Sequence, residues 1–93
     1  MRNYEYPVID IAATGNRIRE LRKEKHLKVT DIMDFMGLES VQAIYKWQRG
    51  ESLPSVDNLF ALSRLFGITV DEIIKEHCNG EEQSSSVSFK LTI

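Results

Sequence analysis

Ser40-Val41-Gln42-Ala43-Ile44-Tyr45-Lys46-Trp47-Gln48-Arg49-Gly50 is the stretch on which the reading of this chain turns. Wound as a helix, it separates into two faces. Ala43, Ile44 and Trp47 share one arc, while Val41, Gln42, Tyr45, Lys46 and Arg49 share another. The first can pack on a core. The second offers an amide, a hydroxyl, two cations and a small apolar group, a mixture suited to base edges and phosphates. Ser40 has the chemistry of an N-cap and Gly50 that of the glycine just past a helix end, so the element spans about ten residues.

Outward from this helix, Phe35-Met36-Gly37-Leu38 ends a shorter helix in a glycine turn. A short helix, a tight turn and a second helix with a polar outer face make a helix-turn-helix. The shorter helix is expected over about 29–36, with Ile32, Phe35 and Met36 inward and Asp31 and Asp34 in solvent. Lys28 precedes it, and an ammonium cannot accept from free backbone N–H groups, so Thr30 is an alternative cap for a later start. Upstream, Thr14 is expected to cap a first helix running to about His26, with Ile18 and Leu21 inward and the stems of Arg22 and Lys25 beside them.

Downstream, Leu53 turns inward, and Ser55 caps a fourth helix over about 56–66. That helix carries Leu59, Leu62, Leu65 and Phe66 at helical spacing, with a small Ser63 among them, and it stops at Gly67. Thr69-Val70-Asp71-Glu72 matches the capping box of a fifth helix, with Ile73 and Ile74 inward and fraying expected near His77. The fold class is therefore all-α, with five helices in one domain over residues 14–77.

The flanks differ. Residues 1–13, with Pro7, Val8, Ile9 and Ile11, have no helical period and read as an extended arm. Residues 79–86 are polar and turn-rich, the composition of a linker. Val87, Phe89, Leu91 and Ile93 alternate with Ser88, Lys90 and Thr92, a period of two that suggests a strand. A lone strand needs an edge. The arm around Tyr4–Ile11 is the available one, within the chain or across a dimer; the alternative is that the alternation has no structural meaning.

Ninety-three residues accommodate one domain. No apolar run is long enough to span a membrane and no signal-peptide pattern opens the chain. A single cysteine, Cys78, fits a reducing cytoplasm. His77-Cys78 with His26 falls short of a structural zinc set, and neither metal nor cofactor is expected. No Ser/His/Asp or Cys/His set and no glycine-rich phosphate loop speaks for an enzyme. The net charge of −2 argues against nucleic acid only until its distribution is read. Residues 14–50 hold eight cations and five anions, a net +3, whereas residues 51–93 hold three cations and seven anions, a net −4. The segment with the polar helix is the basic one. Arg19 and Lys23 beside Glu20 and Glu24 read as a solvated helix face.

Ile18-Arg19-Glu20-Leu21-Arg22, Gly37-Leu38, Ile44 through Gly50, Leu53-Pro54-Ser55, Asn58-Leu59, Leu62, Phe66-Gly67 and Asp71-Glu72-Ile73 together resemble the helix-turn-helix domain of the phage repressor and Cro superfamily, the XRE-type regulators. The likeness covers residues 14–76. It implies a lambda-repressor-like domain that binds double-stranded DNA as a homodimer and regulates transcription, with residues 40–49 as recognition helix. It places Val41, Gln42 and Lys46 at positions that often touch bases, and Ser40 and Arg49 near phosphates. Side-chain chemistry agrees: glutamine can make two hydrogen bonds to adenine, lysine can reach guanine or a phosphate, and valine can meet a thymine methyl. Tyr45 is a further candidate at bases or the sugar-phosphate backbone, or is simply a surface tyrosine. Lys28, Thr30 and Ser52 complete the candidate phosphate contacts.

The sequence departs from the family pattern at three places. Met33 stands where a small residue is common. Val29 replaces a glutamine that commonly contacts phosphate. The turn before Ile44 is one residue longer, near Glu39. A second reading uses the same fold as a protein-interaction module, an antitoxin or anti-regulator, with its partner held through the apolar terminal segments.

Overall fold

The computed structural model describes residues 6–77. They form five helices, α1 (Ile11–Glu24), α2 (Val29–Met36), α3 (Gln42–Gln48), α4 (Val56–Phe66) and α5 (Val70–Ile73). The inner faces of all five meet in one core of Ile18, Leu21, Val29, Ile32, Ile44, Trp47, Leu59, Leu62, Phe66 and Ile73. Burying a side chain of this size contributes about 1.5–3 kcal/mol. That gain is what orders helices too short to persist alone in water.

Local chemistry sets most of the boundaries. Ser55 accepts from Asn58 N at 3.2 Å and starts α4. Gly67 closes it in the left-handed region. At α5 the expected capping box is complete: Glu72 N donates to Thr69 Oγ1 at 3.2 Å, and Thr69 N donates to Glu72 Oε1 at 2.9 Å. Helix α2 begins at Val29 without a side-chain cap from Lys28 or Thr30. Instead the Asp31 carboxylate accepts from Lys28 N at 2.7 Å, half of a capping box and the half a lysine N-cap leaves open. Gly37 adopts the left-handed conformation and, with Leu38 N donating to Met33 O at 3.0 Å, ends α2.

Three helices differ from the sequence expectation at their ends. Asp10, not Thr14, caps α1: its Oδ1 accepts from Ala13 N at 2.9 Å, and the helix takes in residues 11–13, which the sequence assigns to the arm. Thr14 is fully buried, and its hydroxyl accepts from Lys75 N at 2.9 Å. At its other end α1 stops at Glu24, with His26 in the left-handed region at φ 57° and Leu27 N donating to Arg22 O.

Helix α5 stops at Ile73 instead of continuing toward His77. The cause is a long-range pairing. Asp10 N donates to Lys75 O at 2.8 Å and His77 N donates to Val8 O at 2.6 Å, around an antiparallel bridge between Ile9 and Glu76. The arm's neighbour among the described residues is therefore 75–77. The expected linker and strand at 79–93, Cys78, and the arm before Tyr6 lie outside the described residues.

The third difference is in α3, which is shorter at both ends than 40–49. Val41 is its N-cap at φ −87°, ψ 0°, and Ser40 Oγ supports it one residue upstream by accepting from Gln42 N at 3.3 Å.

Two core assignments also change. Phe35 is 53% exposed. Val29, Ile32, Met33 and Met36 share one arc of α2, and Phe35 falls about 60° beyond its edge at 100° per residue. Val29 is buried, so it contributes packing where the family commonly offers a polar contact. Met33 is accommodated half-buried at the core margin.

Candidate nucleic-acid interface

Helix α3 is seated by what lies beneath it. At Gly15 of α1, a Cβ would stand 2.0 Å from the Trp47 carbonyl oxygen, closer than any side chain can be. This missing atom sets how closely α1 and α3 cross. At the far end of α3, Gly50 lies against Ala12: an added Cβ would come within 2.9 Å of Ala12 Cα, and φ is +76°. A glycine is thus required twice over there, for space and for backbone.

Arg22, half-buried on α1, completes the seat. Its Nε donates to Gln48 Oε1 at 3.0 Å and its Nη1 donates to Leu27 O at 2.9 Å. One guanidinium joins α1, the end of α3 and the approach to α2. This pairing was not read from the sequence, where Arg22 is only a stem beside the core.

With Ile44 at 0% and Trp47 at 4% exposure, the inner face of α3 is where the periodicity places it. Gln42, Tyr45, Lys46 and Arg49 are exposed on the opposite side. Val41 is half-buried and packs against the core margin, because it lies at the border of the two arcs. Lys28, Thr30, Ser40 and Ser52 are all exposed, at the start of α2, in the turn before α3 and in the loop after it. Glu39 is exposed in that same turn. The surface presented is a convex helix face, not a pocket. A cleft of about 350 Å³ does occur elsewhere, lined by Pro7, Val8, Ile9, Asp71, Ile74 and Glu76, none of them from α3.

The cations of the outer face have one anionic neighbour that the sequence reading missed. Glu51 Oε2 accepts from Arg49 Nε at 2.6 Å, and Glu51 Oε1 accepts from Arg49 Nη2 at 3.3 Å. The hydrogen bond from Arg49 holds the Glu51 carboxyl below its ordinary range, with the charges of Arg49 and Lys46 adding to the effect. Counting Glu51 with the acidic C-terminal half hid it. The available signal was its place one residue beyond a glycine turn, which folds it back toward the helix.

Among the described residues, no three His, Cys, Asp or Glu side chains gather as a metal site. His26 is exposed. Among the same residues, no helix is long and apolar enough to cross a membrane.

A family model described as helix-turn-helix matches residues 18–73, a span that includes Arg22, Gly50 and both helices of the motif. The chain belongs to the XRE-type helix-turn-helix family. Repressor protein C2 of Salmonella phage P22 is 34% identical over 75 residues, 81% of this chain and 32% of that protein. The HTH-type transcriptional activator BcrR of Enterococcus faecalis is 30% identical over 68 residues, 73% of this chain and 31% of the relative. The chain thus spans about a third of these two relatives. Among solved structures, the restriction-modification controller protein C.AhdI from Aeromonas hydrophila superposes with a TM-score of 0.62 at 28% identity. It covers 69% of this chain and 96% of its own. The DNA-binding domain of the P22 C2 repressor gives 0.59 at 33% identity, over 64% and 78%. The family is one of DNA-binding transcriptional regulators, and the five-helix arrangement described above is that of its DNA-binding domain.

Proposed function

We propose that this XRE-type domain binds duplex DNA sequence-specifically as a homodimer, lays α3 in the major groove of each half-site, and represses transcription. The observation that carries the reading is the division of α3. Ile44 and Trp47 on its inner face are buried in the core, while Gln42, Tyr45, Lys46 and Arg49 are exposed and lie outside that core.

In this reading Gln42 pairs with adenine, Lys46 reaches guanine, Val41 touches a thymine methyl and Tyr45 contacts an adjacent base. Lys28, Thr30, Ser40, Arg49 and Ser52 hold phosphates and fix the register. Each good bidentate base contact discriminates by about 1–3 kcal/mol. Two-fold symmetry places the half-sites about 34 Å apart as an inverted repeat. Selection from a random duplex library with the purified protein tests the reading. Recovery of an inverted repeat with that spacing supports it, and no enrichment by folded protein refutes it.

A second reading is favoured by one observation. Tyr6 and Val8 on the arm are 89% and 57% exposed, and Val8 lines the cleft together with Ile74. An apolar segment displayed in this way suits a protein partner, as in an antitoxin or anti-regulator. A complex with a non-DNA partner that survives replacement of Gln42 and Lys46 would favour it.

A further inference from the structure

Gly50 turns the chain at the end of α3 so that Glu51 lies back on the last turn, its backbone N donating to Lys46 O at 2.9 Å. The carboxylate then meets the Arg49 guanidinium with both oxygens, at 2.6 and 3.3 Å. Both side chains remain half in solvent, at 53% and 50% exposure. Arg49 therefore offers its Nε–Nη2 edge to an anion of its own chain. That edge is the one a phosphate takes when guanidinium binds it in a fork.

We propose that Glu51 is an internal substitute for a DNA phosphate, which occupies Arg49 in the free protein and is exchanged for the DNA backbone on binding. The proposal rests on the DNA-binding reading above. Three consequences follow from the geometry. The exchange is easy, because an exposed ion pair contributes little and water reaches both partners. The displaced carboxylate stays beside the phosphates and repels them, over a range of about 8 Å at physiological salt. Because phosphates carry no sequence information, Glu51 lowers affinity for every duplex alike and leaves the ratio between operator and random DNA unchanged. Its role is to set how tightly the domain holds DNA in general, mainly by occupying Arg49 and in smaller part by repelling the phosphates.

The test is a fluorescence-anisotropy titration of a duplex taken from the selection above and of a random duplex, across a salt series. The proteins are the full chain, E51Q, R49A and the double variant, each checked for an unchanged thermal unfolding midpoint. The expected result is that E51Q tightens binding to both duplexes by the same factor, about two- to fivefold. The plot of log K against log salt should steepen by about one, because no carboxylate is freed from Arg49 to take up a cation as the phosphates release theirs. In the R49A background the gain from E51Q should fall by at least half. Binding that E51Q leaves unchanged or weakens overturns the proposal while leaving the DNA-binding reading intact. An equal gain in both backgrounds also overturns it, since Glu51 would then act as a general surface anion. Binding of neither duplex by the full chain or by E51Q overturns both together.

Discussion

The two faces of α3 differ sharply in exposure. Ile44 is 0% exposed and Tyr45, the next residue, is 41% exposed. The helix itself has only seven residues, Gln42–Gln48. Such a segment is unstable alone, so its inner face must supply the stability that its backbone lacks. The outer face is then free to be chosen for another purpose. The comparison teaches that one short element can draw its stability from one face alone, which leaves the other available for the recognition proposed above.

Breaking the inner face should have the largest effect. Trp47→Ala leaves a cavity under α3 and should cost about 3–5 kcal/mol in urea unfolding. Gly15→Ala tests the seat from the other side. Its new methyl meets the Trp47 carbonyl, a backbone atom that cannot swing away, and a loss of about 1–3 kcal/mol is expected. Asp10→Ala removes the α1 cap and should cost about 1 kcal/mol, read by the same unfolding curve. On the outer face, Arg49→Ala should change stability by less than about 0.5 kcal/mol. It should weaken binding to all duplexes and lower the salt slope by about one. A change in one base preference alone would remove Arg49 from the phosphate contacts. If an outer-face change cost as much stability as Gly15→Ala, the division between the faces would be lost.

Where structure is made locally, it was legible. Ser55, Gly67 and the Thr69–Glu72 box mark helix ends by chemistry that acts within four residues, and those ends lie where the pattern puts them. Legibility failed where a distant segment decided. Thr14 has the composition of an N-cap, but Lys75, far along the chain, takes its hydroxyl and Asp10 takes the capping role. The same pairing with Val8–Asp10 draws residues 75–77 out of the fifth helix.

The interface divides in the same way. Periodicity was enough to put Ile44 and Trp47 inside and Gln42, Tyr45 and Lys46 outside. Val41, at the border of the two arcs, came out half-buried, and only the folded turn at Gly50 reveals Glu51 against Arg49. Phe35 shows the cost of counting apolar residues without their angle, since one position off the stripe leaves it in solvent.

The central claim is that the outer face of α3 reads DNA and does nothing for the fold. It is tested most directly by Gln42→Ala/Lys46→Ala, measured for operator affinity and for the urea midpoint in the same preparation. The account predicts that the preference for operator over random duplex falls by about tenfold or more, as loss of one or two base contacts requires, while the midpoint stays in place. An unchanged preference, in protein with an unchanged midpoint, would contradict it.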